Sequence, residues 1–590
     1  MKRIIKLFPV LALLCLYNMA GFAQSSLNLD FELTNYNATL PRNWYVGGDG
    51  FKNSLDSLEK QHGKYSLKME MSGARNNNSF GVFTGALPVA DFAGKNVEYK
   101  GWIKTKEVKN GYAGLWLRVD GENRATLGFD NMNNRGLTGD NDWTQVSIKI
   151  DISKDAININ YGGIFPAEGT AWFDNLELYM DGEKFIDIIE PDPKISLSRN
   201  ELAALKKYIY PLRTYEPDGG DTKDLKVLDN LIGSSKVVAL GEVTHGSSEI
   251  FKMKNRFIQY LVANNGFDIF SIEANMPESY KLNDYTVQGE GDPKKLIAGM
   301  YFWTWRTEEV LNMVEWMRRF NQPNQRITFT GFDMQFFDGA INELLDAFKG
   351  NEEAENKIAE LKKKLDEIKT RSQQNRGMIA PGYNEVKEID SILSFVQNSI
   401  ETSSVQASQK EWLQQNIVVI QQYLGMNTPL WRDKCMADNF LWIKEHNPNS
   451  KLIIWAHNAH IMKTNQMMGN HLAQKLGVDY VNFGFAFFDG NFTAAGSKGL
   501  TTYEAVQAYP ETLEYLLEQL KEPIYILDLK KIKSVNDKDV EWIKERLPYR
   551  RVGAMGGIPN EFSEGIITDD FDYLIFIRTS TPSTLLPDPN

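Results

Sequence analysis

Seven short apolar runs in the C-terminal two thirds of the chain constrain its fold more than any other feature. They are KVVALGE (236–242), FDIFSIEA (267–274), RITFTGFD (326–333), KLIIWAHN (451–458), YVNFGFAF (480–487), EPIYILDL (522–529) and YLIFIRT (573–579). Runs this short and this apolar predict strands covered on both faces. Stretches of helical period stand between them, such as the amphipathic 248–264. The alternation predicts an α/β fold, a mostly parallel sheet flanked by helices. Residues 350–425 are charged, and NKIAELKKKLDEIK carries apolar residues at three- and four-residue spacing, which predicts a helical insertion over about 340–425. The pattern leaves open whether that insertion packs beside the sheet or stands as a solvated hairpin.

A different pattern precedes the sheet. At 590 residues the chain is too long for one core. Over 25–185, alternating runs (97–103, 114–119, 144–150, 170–180) are separated by Gly, Asn and Asp clusters, which predicts an all-β jelly-roll sandwich. Proline-punctuated IIEPDPKIS (188–196) sets a linker over 186–198 and the α/β domain over 199–590. The opening residues have the form of an export signal over 1–23. Lys2, Arg3 and Lys6 precede an apolar stretch from Leu7 to Leu16, and small Gly21 and Ala23 favour cleavage before Gln24. The expected location is the periplasm or outside the cell. No later stretch is apolar for the ~20 residues a membrane span needs. Cys15 leaves with the leader and Cys435 alone remains, so neither an internal disulfide nor a multi-cysteine zinc site is expected. Losing the three leader cations moves the net charge from −12 to −15, which argues against a nucleic-acid partner.

In open α/β sheets, ligands bind beyond the carboxyl ends of the strands. That rule selects Glu242 and His245 after the first run, Glu273 after the second, Asp333 after the third, and His457 and His460 after the fourth. His62, His446 and His471 have no such placement. Each selected residue also has a plain alternative. Glu242 could cap a helix, a stabilisation of roughly 0.3–1 kcal/mol. His245 could be a turn residue, and the 457/460 pair could start a helix. Glu273 is harder to dismiss, because a charge at the end of a buried strand needs a partner. The chain has no G-x-S-x-G, H-E-x-x-H, P-loop or dinucleotide motif, so an activated water is the natural attacking group.

LGEVTHGSSEIFKMKNRFIQYLV and GFDIFSIEA, followed in order by WTWRTEEVLNMVEWMRRFNQ, TFTGFDMQ, WRDKCMADNFLWI and IIWAHNAHI, resemble the signature of the erythromycin esterase family over roughly 200–580. The resemblance implies a metal-independent, cofactor-free hydrolase that opens macrolactone rings. It implies a catalytic set of Glu242, His245, Glu273, His457 and His460, with His245 as base. Lys254, Arg306, Asp333, Arg432 and Asp433 are expected to bind substrate or support the site. Lys254 stands where the family usually has arginine, and lysine lacks the planar fork that grips a carboxylate. In the expected mechanism neutral His245 takes a proton from water, a glutamate holds its ring, and His457 or His460, with Lys254, donates to the oxyanion. A Zn²⁺ or Mn²⁺ hydrolase built on the same histidines and glutamates is the alternative within the site.

LNLDFELTN, HGKYSLKMEM and AWFDNLELYMDGE, with the Asp174–Asn175 pair, resemble carbohydrate-binding modules of secreted enzymes. Trp44, Tyr45, Trp102, Trp116 and Trp143 could stack on sugars or fill the core between sheets. The expected partners are a small ester or lactone and a glycan at the sandwich. A glycan-binding surface protein without esterase activity is the alternative from another class.

Overall fold

The computed structural model describes residues 26–587, apart from 35–38, 72–78, 122–124, 189–192, 218–219, 375–381, 427 and 559. The expected leader lies outside the described residues. Two compact units divide between Pro193 and Lys194.

The N-terminal unit is the expected all-β sandwich, and its strand pairs are antiparallel. Strand Asn96–Asp120 is long enough to serve both layers. Its first part pairs with Leu137–Asp151 and Glu168–Met180, and its second with Asn158–Phe165 and Thr126–Asp130. Alternate side chains therefore meet in one core that includes Phe83, Tyr99, Leu115, Leu117, Tyr161 and Phe173. Trp44 is part of it, against Phe83 and Tyr161, with its indole N–H donating to Asn28 O (2.9 Å). That settles Trp44 as core, whereas Tyr45 is half exposed. The unit runs past the expected start of the linker at 186, because the Asp187 carboxylate accepts from Ser26 Oγ and from the Leu27 and Asn28 N–H groups (2.8–3.0 Å). Ser198 then caps helix Arg199–Leu205 in a capping box.

All seven apolar runs of the second unit are strands of one sheet. Its order is Ile209–Pro211, Ile524–Asp528, Tyr573–Ser580, Tyr480–Ala494, Val237–Leu240, Leu452–Trp455, Ile269–Asn275, Thr328–Asp333. The last six of these pair in parallel. Ile524–Asp528 departs from the parallel expectation. It runs antiparallel to Tyr573–Ser580, and the short edge strand Ile209–Pro211 runs antiparallel to it. Both faces are covered: Val237, Ala239, Leu452 and Ile454 enter one hydrophobic layer, and their neighbours Val238, Leu240, Ile453 and Trp455 the other. The insertion consists of helices Asp338–Ala347, Glu352–Gln374, Tyr383–Thr402 and Ala407–Gly425. Leu361, Leu365, Ile389, Val396 and Ile417 bury in the first layer, so it packs beside the sheet and is no solvated hairpin. Among the described residues no helix is long and apolar enough to cross a membrane.

Candidate active site

Val237–Leu240, Leu452–Trp455, Ile269–Asn275 and Thr328–Asp333 are consecutive neighbours in the sheet, and their carboxyl ends carry the polar residues selected above. After Leu240 the chain leaves the sheet at Gly241, whose N–H donates to Phe483 O (2.8 Å). A side chain there would strike the Asn458 amide, so glycine is what allows the Glu242 and His457 segments to approach. Helix Ser248–Asn265 follows, capped by the Ser247 hydroxyl and closed at left-handed Gly266, close to the expected 248–264.

Glu242 is completely buried and organises one half of the site. Its Oε1 lies 2.7 Å from His245 Nδ1, and its Oε2 accepts from Lys254 Nζ and Trp455 Nε1, both at 2.7 Å. Lys254 is equally buried, with its ammonium 4.2 Å from the Trp455 ring centre. It lies behind Glu242, so the expected contribution to an oxyanion is corrected: Lys254 is a support. Burial raises the Glu242 pKa, but Lys254 and then His245 outweigh it and the carboxyl lies below its usual range. Burial lowers Lys254 to about 8 against the pull of Glu242.

Glu273 organises the other half. Its Oε1 accepts from Arg432 Nη2 (2.7 Å) and lies 3.2 Å from His460 Nε2, and its Oε2 accepts from the His457 backbone N–H (2.9 Å). Arg432 also forks onto Asp333 through Nε (3.1 Å) and Nη2 (2.8 Å). His460 Nδ1 lies 2.8 Å from Asp433 Oδ1. Burial opposes a charge on His460, yet Asp433 and Glu273 outweigh it and lift its pKa to about 10. Burial also opposes charge on Glu273, but His460 and Arg432 hold it well below the usual carboxylate range.

His457 differs from both other imidazoles. Its Nδ1 accepts from Ala459 N–H (3.2 Å), so Nε2 carries the hydrogen and donates to Val243 O (3.2 Å). Burial, followed by His245 and His460, lowers its pKa to about 3. With both nitrogens engaged, neutral His457 is not placed to donate to an oxyanion. The His460 nitrogens are engaged too, Nδ1 by Asp433 and Nε2 by Glu273 with Arg432 Nη1 3.1 Å away, so of the two expected donors only His460 has a positive charge to offer there. His457 bridges the halves, its ring centre 5.0 Å from that of His245 and 6.3 Å from that of His460. Arg306 follows Trp305, whose ring meets His245 (6.3 Å, 80°), and its backbone O accepts from Leu586 N–H (2.8 Å).

The site has a floor and a mouth. The Glu242 and Lys254 side chains have no exposure, whereas those of His245, His460 and Arg432 retain 13, 14 and 19%. A substrate therefore meets one imidazole with no described partner on Nε2 and two cations. Four carboxylates face three cations, so a proton gained by His245 neutralises the cluster. Among the described residues no three or more His, Cys, Asp or Glu side chains are disposed to hold a metal ion. The Glu242 and Glu273 oxygens and His457 Nδ1 are turned toward Lys254, Trp455, Arg432, His245, His460 and backbone N–H groups, whereas His245 Nε2 and Asp433 Oδ2 have no described partner.

The sequence pattern of the erythromycin esterase family matches residues 262–580, more than half of the chain. The chain belongs to the erythromycin esterase family. The match begins later than the expected 200, past Glu242 and His245, so those two stand on geometry. YbfO of Bacillus subtilis (strain 168) is 23% identical over 65% of this chain and 91% of its own length. Erythromycin esterase type II of Escherichia coli is 26% identical over 48% and 76%. Among solved structures, a succinoglycan biosynthesis protein shares 26% identity over 66% of this chain and 98% of that one, with a TM-score of 0.56. A mutant of erythromycin esterase EreC in its open conformation shares 16% over 64% and 99%, with a TM-score of 0.51, a likeness of fold.

For this family member, sequence reading missed Trp455, Trp305 and the Val243 carbonyl. Trp455 closes an apolar run at a strand end, where an indole N–H needs an acceptor, and that signal could have found it. A backbone acceptor such as Val243 O leaves no trace in side-chain pattern.

Proposed function

We propose that the protein is an exported hydrolase that cleaves a carboxylic ester or lactone with water activated by His245. The observation that carries this reading is the Glu242–His245 pair at 2.7 Å. A carboxylate on Nδ1 keeps that nitrogen protonated and leaves the Nε2 lone pair as the basic site. Water adds to the acyl carbon while its proton passes to His245 Nε2. The tetrahedral oxyanion is stabilised by the charges of His460 and Arg432. Collapse expels the alcohol oxygen, which takes the proton back from His245. Lys254 and Trp455 keep Glu242 ionised and aimed, and preorganisation of this kind avoids solvent rearrangement during the reaction.

Membership of the family supports the hydrolase class, and the E. coli relative's name makes a macrolactone one substrate to test. The deciding experiment is a hydrolysis screen of the wild type and His245→Ala against macrolides, simple esters and acylated sugars. The variant should lose about 10²–10⁴-fold in kcat with an unchanged circular dichroism spectrum; near-normal turnover would refute the base assignment. Export rests on the leader residues, and N-terminal sequencing of protein from the periplasm or medium should begin at Gln24. A glycan partner for the sandwich rests on the exposed rings of Tyr45 and Phe129 (50 and 54%), and a glycan array with Tyr45→Ala checks it.

A further inference from the structure

The rim of the site carries an aromatic surface that the chemistry above does not use. Segment 301–305 crosses the end of strand Ile269–Asn275. At one end Trp305 donates its indole N–H to Glu273 O (3.1 Å) and sets its ring against His245. At the other end Tyr301 is 42% exposed although one face lies on Phe336, with ring centres 4.2 Å apart at 33°. Phe302 backs Phe336 at 5.6 Å. The Cα atoms of Tyr301 and Trp305 lie at most about 14 Å apart. Phe336, three residues past the end of strand Thr328–Asp333, is bonded to Asn275 at the end of strand Ile269–Asn275, so the Tyr301–Phe336 pair stands beside the strand ends that carry Glu273 and Asp333.

Tyr301 is held there deliberately. Its φ is +68°, a left-handed backbone that bulky side chains rarely adopt. Its hydroxyl donates to Glu278 Oε1 (2.9 Å). Glu278 is buried and is fixed in turn by Gly339 N–H (2.8 Å) and the Asn275 amide. The same Asn275 side chain accepts from Phe336 N–H (3.1 Å) and donates to Phe336 O (3.0 Å), so one buried carboxylate–amide pair positions both rings. Backbone strain kept in place by a buried network is a mark of functional surfaces.

We propose that Tyr301, backed by Phe336, is a stacking subsite for a substrate ring that presents a flat apolar face, joined to the ester that His245 hydrolyses. The proposal rests on the hydrolase reading. Both aryl rings and the C–H face of a pyranose offer this chemistry, and the probes distinguish them. Phenyl acetate, an O-acetylated methyl glucoside and ring-free ethyl acetate are compared on full-length wild type and Tyr301→Gly, a change that suits the left-handed backbone while deleting the ring. Stacking is expected to show as a KM about tenfold higher in the variant for one or both ring esters, with kcat held and ethyl acetate unaffected. Tyr301→Phe, which keeps the ring and loses only its tether, should fall between. Equal losses on all three esters, or none on either ring ester, would overturn the subsite and leave the hydrolase reading standing. A wild type that hydrolyses none of them or any other ester overturns both.

Discussion

The two halves of the active site use the same residue types to opposite ends. In one, Glu242 holds a single imidazole through Nδ1 and a buried lysine lies behind it. In the other, His460 is caught between Asp433 and Glu273 and keeps its proton to about pH 10. Between them His457, tied to two backbone groups, stays neutral down to about pH 3. Neighbours, not identity, set which imidazole carries charge, and environments that push titrations apart are what allow acid and base roles to coexist at one pH.

Removing the cation that unites the charged half should have the largest consequence. Arg432→Met leaves Glu273 and Asp333 without their shared partner, and breaking a buried pair costs about 3–5 kcal/mol. Urea unfolding should show that loss alongside lost activity. A variant of wild-type stability would mean that water, not Arg432, satisfies those carboxylates. His460→Gln asks less of the fold and more of the chemistry. If His460 is the cation facing the oxyanion, kcat should fall about 10²–10³-fold with little change in KM. A fall confined to KM would make it a ground-state binder and blur the contrast with His245.

Stability against pH tests the same contrast. The folded-state pKa of His460 is raised, so its contribution is complete below about 6.5 and is lost as pH rises toward 10. That of His457 is depressed, so the unfolded chain gains protons first and stability falls as pH drops from 6.5 toward 3. Glu273 adds to this acid loss, because its lowered pKa helps the fold only above the usual carboxylate range. Lys254, lowered to about 8, opposes His460 at higher pH, so the alkaline decline should be clearest between about 6.5 and 8. Asp433→Asn removes the largest favourable influence on the His460 charge and should flatten that decline in thermal melts recorded across pH, leaving the acid limb in place. An unchanged slope would show that Asp433 does not hold the proton on His460.

Much of this arrangement was legible in the sequence because sheets buried on both faces write themselves as apolar runs. The residues just past those runs fall on one rim, which is how Glu242, His245, Glu273, Asp333, His457 and His460 were found together. Ile209–Pro211 was not legible: three residues with a proline at the edge make too short a signal. The antiparallel turn of Ile524–Asp528 was hidden for another reason, since a buried strand reads alike in either direction. Side-chain pattern also could not assign the three imidazoles, because Ala459 N–H and Val243 O, which lock His457, are backbone groups. Lys254 looked like a weakened arginine until the second donor on Glu242, the indole of Trp455, came into view.

That indole sets the smallest test. Lysine offers Glu242 Oε2 one bond at 2.7 Å, and Trp455 N–H adds another at the same distance on the same oxygen. The two together give Glu242 Oε2 a pair of donors while His245 holds Oε1, and the Trp455 face also carries the lysine charge. Trp455→Phe keeps an aromatic ring for the cation and deletes only the N–H. A hydrogen bond to a charged group contributes about 1.5–3 kcal/mol, part of which a buried water can restore, so a loss of about tenfold in kcat is expected. The pH–rate profile should shift with it, because a less firmly held Glu242 binds a proton more readily and releases its hold on His245 at higher pH than in the wild type. An unchanged profile would leave Lys254 as sufficient support by itself, and the lysine would then replace the guanidinium without help from the indole.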